Sequence, residues 1–251
     1  MSRKRGGYIP SEYDGRDLQW THEQVLPNSA RLFLPALYNQ GNDVDCCTSM
    51  ALATAFQIID YRNGNSTRLS PLYHYYFARR NPQYLGVVTM RQALRTATVD
   101  GFCQLELHDK PITVVGALEA PSDEAKNDAK RRRLLAYDSN TGSPGYFQLD
   151  MNDRLARWKS TIALGFPVVA GIWTQSSYWS GEGMREDQAE PHQGAHAVCI
   201  IGYDDDNNSF TVRDSRGPAF ANGGNWNLSY KVASKNRVIE SWAIRTLTYD
   251  D

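Results

Sequence analysis

Two residues of this 251-residue chain stand where local structure would sharpen their chemistry. Cys47 precedes a run in which Leu52, Ala55, Phe56 and Ile59 recur at helical spacing, so it lies at the N-terminal end of a helix predicted to begin after Asp45. Unpaired backbone N–H groups and the helix dipole favour negative charge there, and the thiolate is the nucleophilic form of cysteine. Asp43 and Asp45 oppose ionisation if they turn inward, and a cysteine read by position alone is as readily a small core residue. His196 opens the predicted strand Ala197–Ile201. If the chain reverses near Asp205 and Asp206, His196 faces the stretch around Asp214 to Arg216. A carboxylate near that facing position would hold the imidazole tautomer and stabilise the imidazolium. A lone histidine on a strand is ordinarily structural. A histidine and an aspartate joined by one hairpin, with a helix-start cysteine elsewhere, are the parts of a nucleophilic site.

Several elements must hold these residues. Ala51, Ala53 and Ala55 fill the rest of the first helix, as in a helix packed on more than one side, and Gly64 is its stop. Ser70-Pro71 announces a second helix by N-cap and first-turn proline, and its Tyr73, Tyr75, Tyr76 and Phe77 read as packing. A third helix runs around Met90 to Thr96 and ends before Gly101. Ser122 caps a short one, with Asp123 and Glu124 at its start and Lys130 to Arg133 at its end. The last hundred residues change character. Strands are predicted at Pro167–Trp173, His196–Tyr203 and Phe210–Arg213, with Asp204–Asn208 as a turn. Helices first and strands after predict an α+β fold of two lobes, one helical and one an antiparallel sheet or barrel.

The bulk numbers exclude more than they assert. With 27 basic and 28 acidic residues the net charge is −1, which gives no electrostatic case for nucleic acid or an anionic membrane. The basic clusters Ser2–Arg5 and Lys130–Arg133 read as solvated charge. No apolar run approaches the roughly 18 residues that cross a bilayer, and the basic start has no apolar stretch behind it, so a cytoplasmic location is expected. Four cysteines are too few for a disulfide framework and lack zinc spacing. Cys103 and Cys199 read as inert, and His74, His108 and His192 show no metal spacing. No metal and no organic cofactor is expected.

At the chemically interesting residues the sequence resembles the papain-like cysteine peptidases. Tyr38-Asn39-Gln40-Gly41, a short loop and Cys47-Thr48-Ser49-Met50-Ala51 are similar to that family's glutamine–glycine–cysteine segment, with the threonine common in its bacterial branch. Gly194-Ala195-His196-Ala197-Val198 with Ile201-Gly202-Tyr203-Asp204 resembles its histidine strand. Phe210 to Gly217, followed by Gly223-Gly224 and Tyr230, resembles its asparagine–serine–tryptophan–glycine segment. Weaker likenesses are Gly7-Tyr8-Ile9-Pro10 with Asp14-Gly15-Arg16-Asp17, then Leu69-Ser70-Pro71, then Gly165 to Val169. The resemblance implies one papain-like peptidase domain over residues 1–251. Its helical lobe would lie mainly in 20–110, and its barrel-like antiparallel β lobe mainly in 145–250 with the N-terminal segment. It implies that Cys47 is the nucleophile, His196 the general base and acid, Asp214 the orienting group and Gln40 an oxyanion donor with the Cys47 N–H. Such a donor is worth about 3–4 kcal/mol in the transition state. An extended peptide or protein substrate would lie between the lobes. Gly86, Val87 and Ala195 would line the pocket for the side chain two residues upstream of the cut.

The departures from the family cluster at the same place. Gln40 and Cys47 are seven apart, one more than usual, so strict counting selects Cys46. The ungapped match after Cys47 selects Cys47 and puts the extra residue in the Asn42–Asp45 loop. Asp45-Cys46 replaces glycine-serine, Asp214 replaces asparagine, and Arg216 replaces the shielding tryptophan and could pair with Asp214. The match begins within the first ten residues, without an inhibitory prodomain, so restraint is expected from narrow specificity, a regulatory protein partner or low activity. Two other functions fit the same residues. One is an inactive relative that binds peptides, and the other is a ligating enzyme whose acyl-thioester is captured by an amine.

Overall fold

The structure is a computed structural model and describes residues 8–11, 25–136, 145–181, 184 and 192–248. The basic tail Ser2–Arg5 and the segment Asp14–Asp17 lie outside the described residues. Helix α1, Cys47–Arg62, is the centre of the molecule: 14 of its 16 residues are buried, so no face is left for water. Its mixture of alanines with Leu52, Phe56 and Ile59 suits close packing all round. The helix stops at Asn63 and Gly64, the latter with φ +86°, where a side chain would be strained.

The other helices of this half form where the capping signals put them. Ser70 Oγ accepts from Tyr73 N–H at 3.2 Å at the start of α2, Pro71–Ala78. Thr89 Oγ1 does the same from Gln92 for α3, Met90–Val99. The short α4, Val114–Leu118, and α5, Asp123–Ala129, start on Thr113 and Ser122. Strand β1, Tyr8–Ile9, pairs in parallel with β3, Val88–Thr89. Strand β4, Arg133–Leu134, pairs with the C-terminal β11, Leu247–Thr248.

A seven-stranded antiparallel sheet makes up the second half. Its strands are β5 (Tyr146–Gln148), β6 (Val168–Trp173), β7 (Ala195–Asp204), β8 (Ser209–Arg213), β9 (Asn225–Ser229) and β10 (Val238–Ile244). They lie in the order β5-β10-β6-β7-β8-β9, and β2, Ser29–Arg31, pairs with the end of β7. The expected barrel is corrected here: β5 and β9 are the ends of an open sheet. Both faces are covered, so closure is not needed to bury them. Val169, Ala197, Cys199, Ile201 and Trp242 turn toward α1 and share a core with Phe56 and Ile59. Val168, Ala170, Ile172, Val198 and Ile200 turn to the opposite face, where Trp158 and Ile162 of α6, Arg154–Ala163, join them. Along β6 and β7 the side chains therefore alternate between two cores, which explains their unbroken apolar runs. The remaining helices, α7 (Ser176–Trp179) and α8 (Tyr230–Ala233), are single turns. Among the described residues no helix is long and apolar enough to cross a membrane.

Candidate active site

Cys47 is the first residue of α1 and Cys46 is its N-cap, so the helix start selects Cys47 for the N-terminal position with its free N–H groups. Cys46 offers no side-chain cap, and its carbonyl accepts from Met50 N–H at 3.1 Å. Burial, followed by the Cys47 thiol close by, pushes the Cys46 thiol well above the ordinary cysteine range. Asp43 is exposed, whereas the half-buried Asp45 adds to the upward push on the Cys46 thiol.

The β7–β8 hairpin brings His196 and Asp214 together. Cys199 is registered with Arg213, and an irregularity between Ile200 and Gly202 shifts the pairing by one residue. His196 is therefore opposite the stretch just past Asp214, in line with the turn position read from the sequence. His196 Nε2–H donates to Asp214 Oδ1 at 3.0 Å, and both side chains are buried. Burial alone would lower the His196 pKa, but the charge and hydrogen bond of Asp214, with Cys47 acting in the same direction, outweigh it and hold it at about 10. His196 Nδ1 has no hydrogen-bond partner of ordinary geometry, and the Cys47 sulfur is the thiol that bears on this ring.

Asp214 is more heavily solvated by protein than the sequence indicated. Tyr178 O–H reaches Oδ2 at 3.0 Å and Oδ1 at 3.2 Å, Trp226 Nε1–H donates to Oδ2 at 2.9 Å, and Ser215 N–H donates to Oδ1 at 2.8 Å. Burial pushes its pKa up, but the His196 charge and these donors win and hold the carboxyl below its usual range. Arg216 does not pair with Asp214. Its guanidinium lies 4.8 Å from the Trp179 ring centroid, and Nη2 reaches Asn42 Oδ1 at 3.4 Å. The buried carboxylate already has its donors, while a half-buried arginine keeps partial hydration over an aromatic face.

Gln40 is tied to the same segment. Its N–H donates to Ser215 O at 2.7 Å, and Ser215 Oγ–H donates to its side-chain carbonyl at 3.1 Å, leaving the NH2 end uncommitted. Asn39 bridges Arg216 alongside. Gly86 and Val87 lie on an exposed lip, where Tyr75 O–H donates to Gly86 O at 2.7 Å, and it is Val88 that turns inward. Ala195 is buried beside His196 and registered with Trp173. Cys103 and Cys199 are buried without exposed surface, and His74 is held between Ser49 Oγ and Ala93 O, a core role.

The residues that sequence reasoning missed are Tyr178, Trp226 and Ser215. Trp226 carried a signal: the glycines at 223 and 224 turn the chain back on β8, and the register puts Trp226 against Val212, two residues from Asp214. Tyr178 sits in a single helical turn with no periodicity to mark it.

Residues 128–246 match the model of the Peptidase_C39 like family, a stretch that holds His196 and Asp214 but neither Gln40 nor Cys47. An uncharacterized peptidase C1-like protein of Acanthamoeba polyphaga mimivirus is 25% identical over 214 residues, 80% of this chain and 67% of that protein. Xylellain, a cysteine protease from Xylella fastidiosa, superposes with a TM-score of 0.84 at 24% identity, covering 98% of this chain and 97% of that one. Procathepsin B of Trypanosoma congolense superposes with a TM-score of 0.74 at 13% identity over 99% and 88% of the two chains. The chain thus has the papain-like fold, shared along its whole length with these cysteine proteases.

Proposed function

We propose that the chain hydrolyses peptide bonds through Cys47, His196 and Asp214 by way of an acyl-thioester. The observation that carries this is a buried histidine whose Nε2 is bonded to a buried carboxylate while its Nδ1 is left without a hydrogen-bond partner, with the helix-start thiol of Cys47 bearing on the same ring. His196 Nδ1 takes the Cys47 proton, and Asp214 stabilises the imidazolium through Nε2–H. The Cys47 sulfur attacks the carbonyl, and its oxygen takes up the developing charge against the Cys47 N–H and the Gln40 side-chain amide, which Ser215 orients. His196 then returns the proton to the leaving amine. A water that His196 deprotonates cleaves the thioester and releases the acid. A carboxylate at 214 holds the imidazolium strongly, which favours the thiolate but makes His196 a reluctant acid, so slow acylation is expected.

The test is intact-mass labelling with limiting iodoacetamide, followed by peptide mapping, on wild type and His196→Ala. Labelling at Cys47 faster than at the other three thiols, lost in His196→Ala, supports the reading. A Cys47 no faster than free cysteine would sink it. Adding an amine acceptor to a peptide digest separates hydrolysis from ligation by the mass of the product.

A further inference from the structure

A cavity of about 480 Å³ lies where β1 and β3 meet the first turns of α3, and none of its lining residues takes part in the mechanism. Three arginines line it: Arg80, which follows α2, and Arg91 and Arg95, which stand four apart on one face of α3. Ser11, Thr89 and Gln92 add neutral hydrogen-bonding groups. No carboxylate lines the cavity among the described residues. Glu240, which accepts from Ser11 N–H at 2.9 Å, is buried and is not part of the wall.

The fold holds these cations in place. Arg79, the residue before Arg80, is buried with its guanidinium bonded to Tyr75 O at 3.3 Å, Tyr84 O at 3.1 Å and Ala117 O at 2.8 Å, which fixes the main chain that carries Arg80. Arg91 is half-buried: its N–H donates to Ser11 Oγ at 3.0 Å, and its guanidinium lies 5.4 Å from the Trp242 ring centroid. Arg80 and Arg95 are exposed, and neither guanidinium has a hydrogen bond or ion pair among the described residues. A single exposed arginine is ordinary solvated charge. Three that line one hollow repel each other, and the positive end of the α3 dipole adds to the same potential. Like charges gathered from two elements without a counter-charge are stabilised by an anion that lies between them.

We propose that this cavity binds a small polyanion, a molecule with two or more phosphate or carboxylate groups close together. Its volume falls among small-molecule sites, which run from roughly 300 to 1,000 Å³. Each guanidinium presents a planar fork that takes an oxyanion by two parallel N–H bonds, so three of them suit grouped charges better than one. Gln92 N–H already donates to Thr89 Oγ1 at 3.1 Å, so the start of α3 is capped and the arginines, rather than free main-chain N–H groups, carry the recognition. Arg91 beside its indole supplies the least hydrated contact, and Arg80 and Arg95 close on the ligand from the rim. The site stands apart from the peptidase reading, since no step at Cys47 enters it.

The experiment is calorimetric titration of the full chain with inorganic pyrophosphate, tripolyphosphate and citrate at constant ionic strength. It is run on wild type, Arg80→Gln, Arg95→Gln, Arg95→Lys and, as a control on an exposed cation outside the cavity, Arg131→Gln. Wild type is expected to bind at least one of the three saturably, one per chain, and the preferred anion tells phosphate from carboxylate recognition. Arg80→Gln and Arg95→Gln should each weaken that binding about tenfold or more, and Arg131→Gln should leave it unchanged. Arg95→Lys, which keeps the charge and loses the fork, should fall between. Because Arg80 and Arg95 are exposed, their glutamine variants should keep the wild-type urea midpoint, which separates lost binding from lost fold. No saturable binding of any of the three anions by wild type would overturn the inference. So would equal weakening by Arg131→Gln, the mark of diffuse surface charge, or full affinity in both glutamine variants.

Discussion

At Asp214 four donors converge on two carboxylate oxygens, and removing any one leaves a buried acceptor or donor unmatched. Trp226→Phe deletes the indole N–H while keeping an aromatic face, and is expected to cost about 1.5–3 kcal/mol, read from urea midpoints. The same carboxylate sets a pH dependence. His196 titrates near 6.5 when unfolded and at about 10 when folded, so between those values the folded state binds the extra proton. The stabilisation is therefore complete below about pH 6.5 and is lost as pH rises toward 10, at no more than about 1.4 kcal/mol per pH unit. Asp214→Asn removes the charge that lifts His196 and should flatten that decline, as urea unfolding at pH 6, 8 and 10 would show.

Among the elements, those with chemical punctuation were legible in the sequence. Ser70-Pro71, Ser122 and Gly64 put the helix ends where they are found, because caps and positive-φ glycines act locally. The His196 hairpin was legible too, since its turn fixes its register. The open sheet was not, because which edge meets which partner depends on α1 and α6 covering the faces, a matter of distant packing. Nor was the fate of Arg216, decided by Tyr178 and Trp226 filling Asp214 from elements far along the chain. Gly101 shows punctuation under tertiary constraint. Its φ is +67°, and a Cβ there would sit 2.3 Å from Ala129 O and 2.6 Å from Arg132 O. These are backbone atoms that cannot rotate aside. Gly101→Ala is thus expected to destabilise by at least about 2 kcal/mol, with Cys47 labelling retained in the folded fraction.

For the molecule as a whole, the two halves are joined through main chain close to the chemistry. Gln40 N–H bonds Ser215 O, and Arg213 Nη2–H reaches Pro35 O at 2.7 Å, so the segment before Cys47 is tied to the strand that follows His196. A helix buried around its circumference gives the adjacent thiols different lives. Neither thiol has exposed surface, but burial keeps the Cys46 thiol protonated while the Cys47 thiol bears on His196, so Cys46 is expected to meet a reagent only after the centre of the protein has come apart. Cys47, one residue on, is expected to react from the native state through His196. The pair is then two clocks on one peptide. Modification at 47 keeps the time of the active site, modification at 46 that of global opening, and only the second should quicken as urea is raised below the unfolding midpoint.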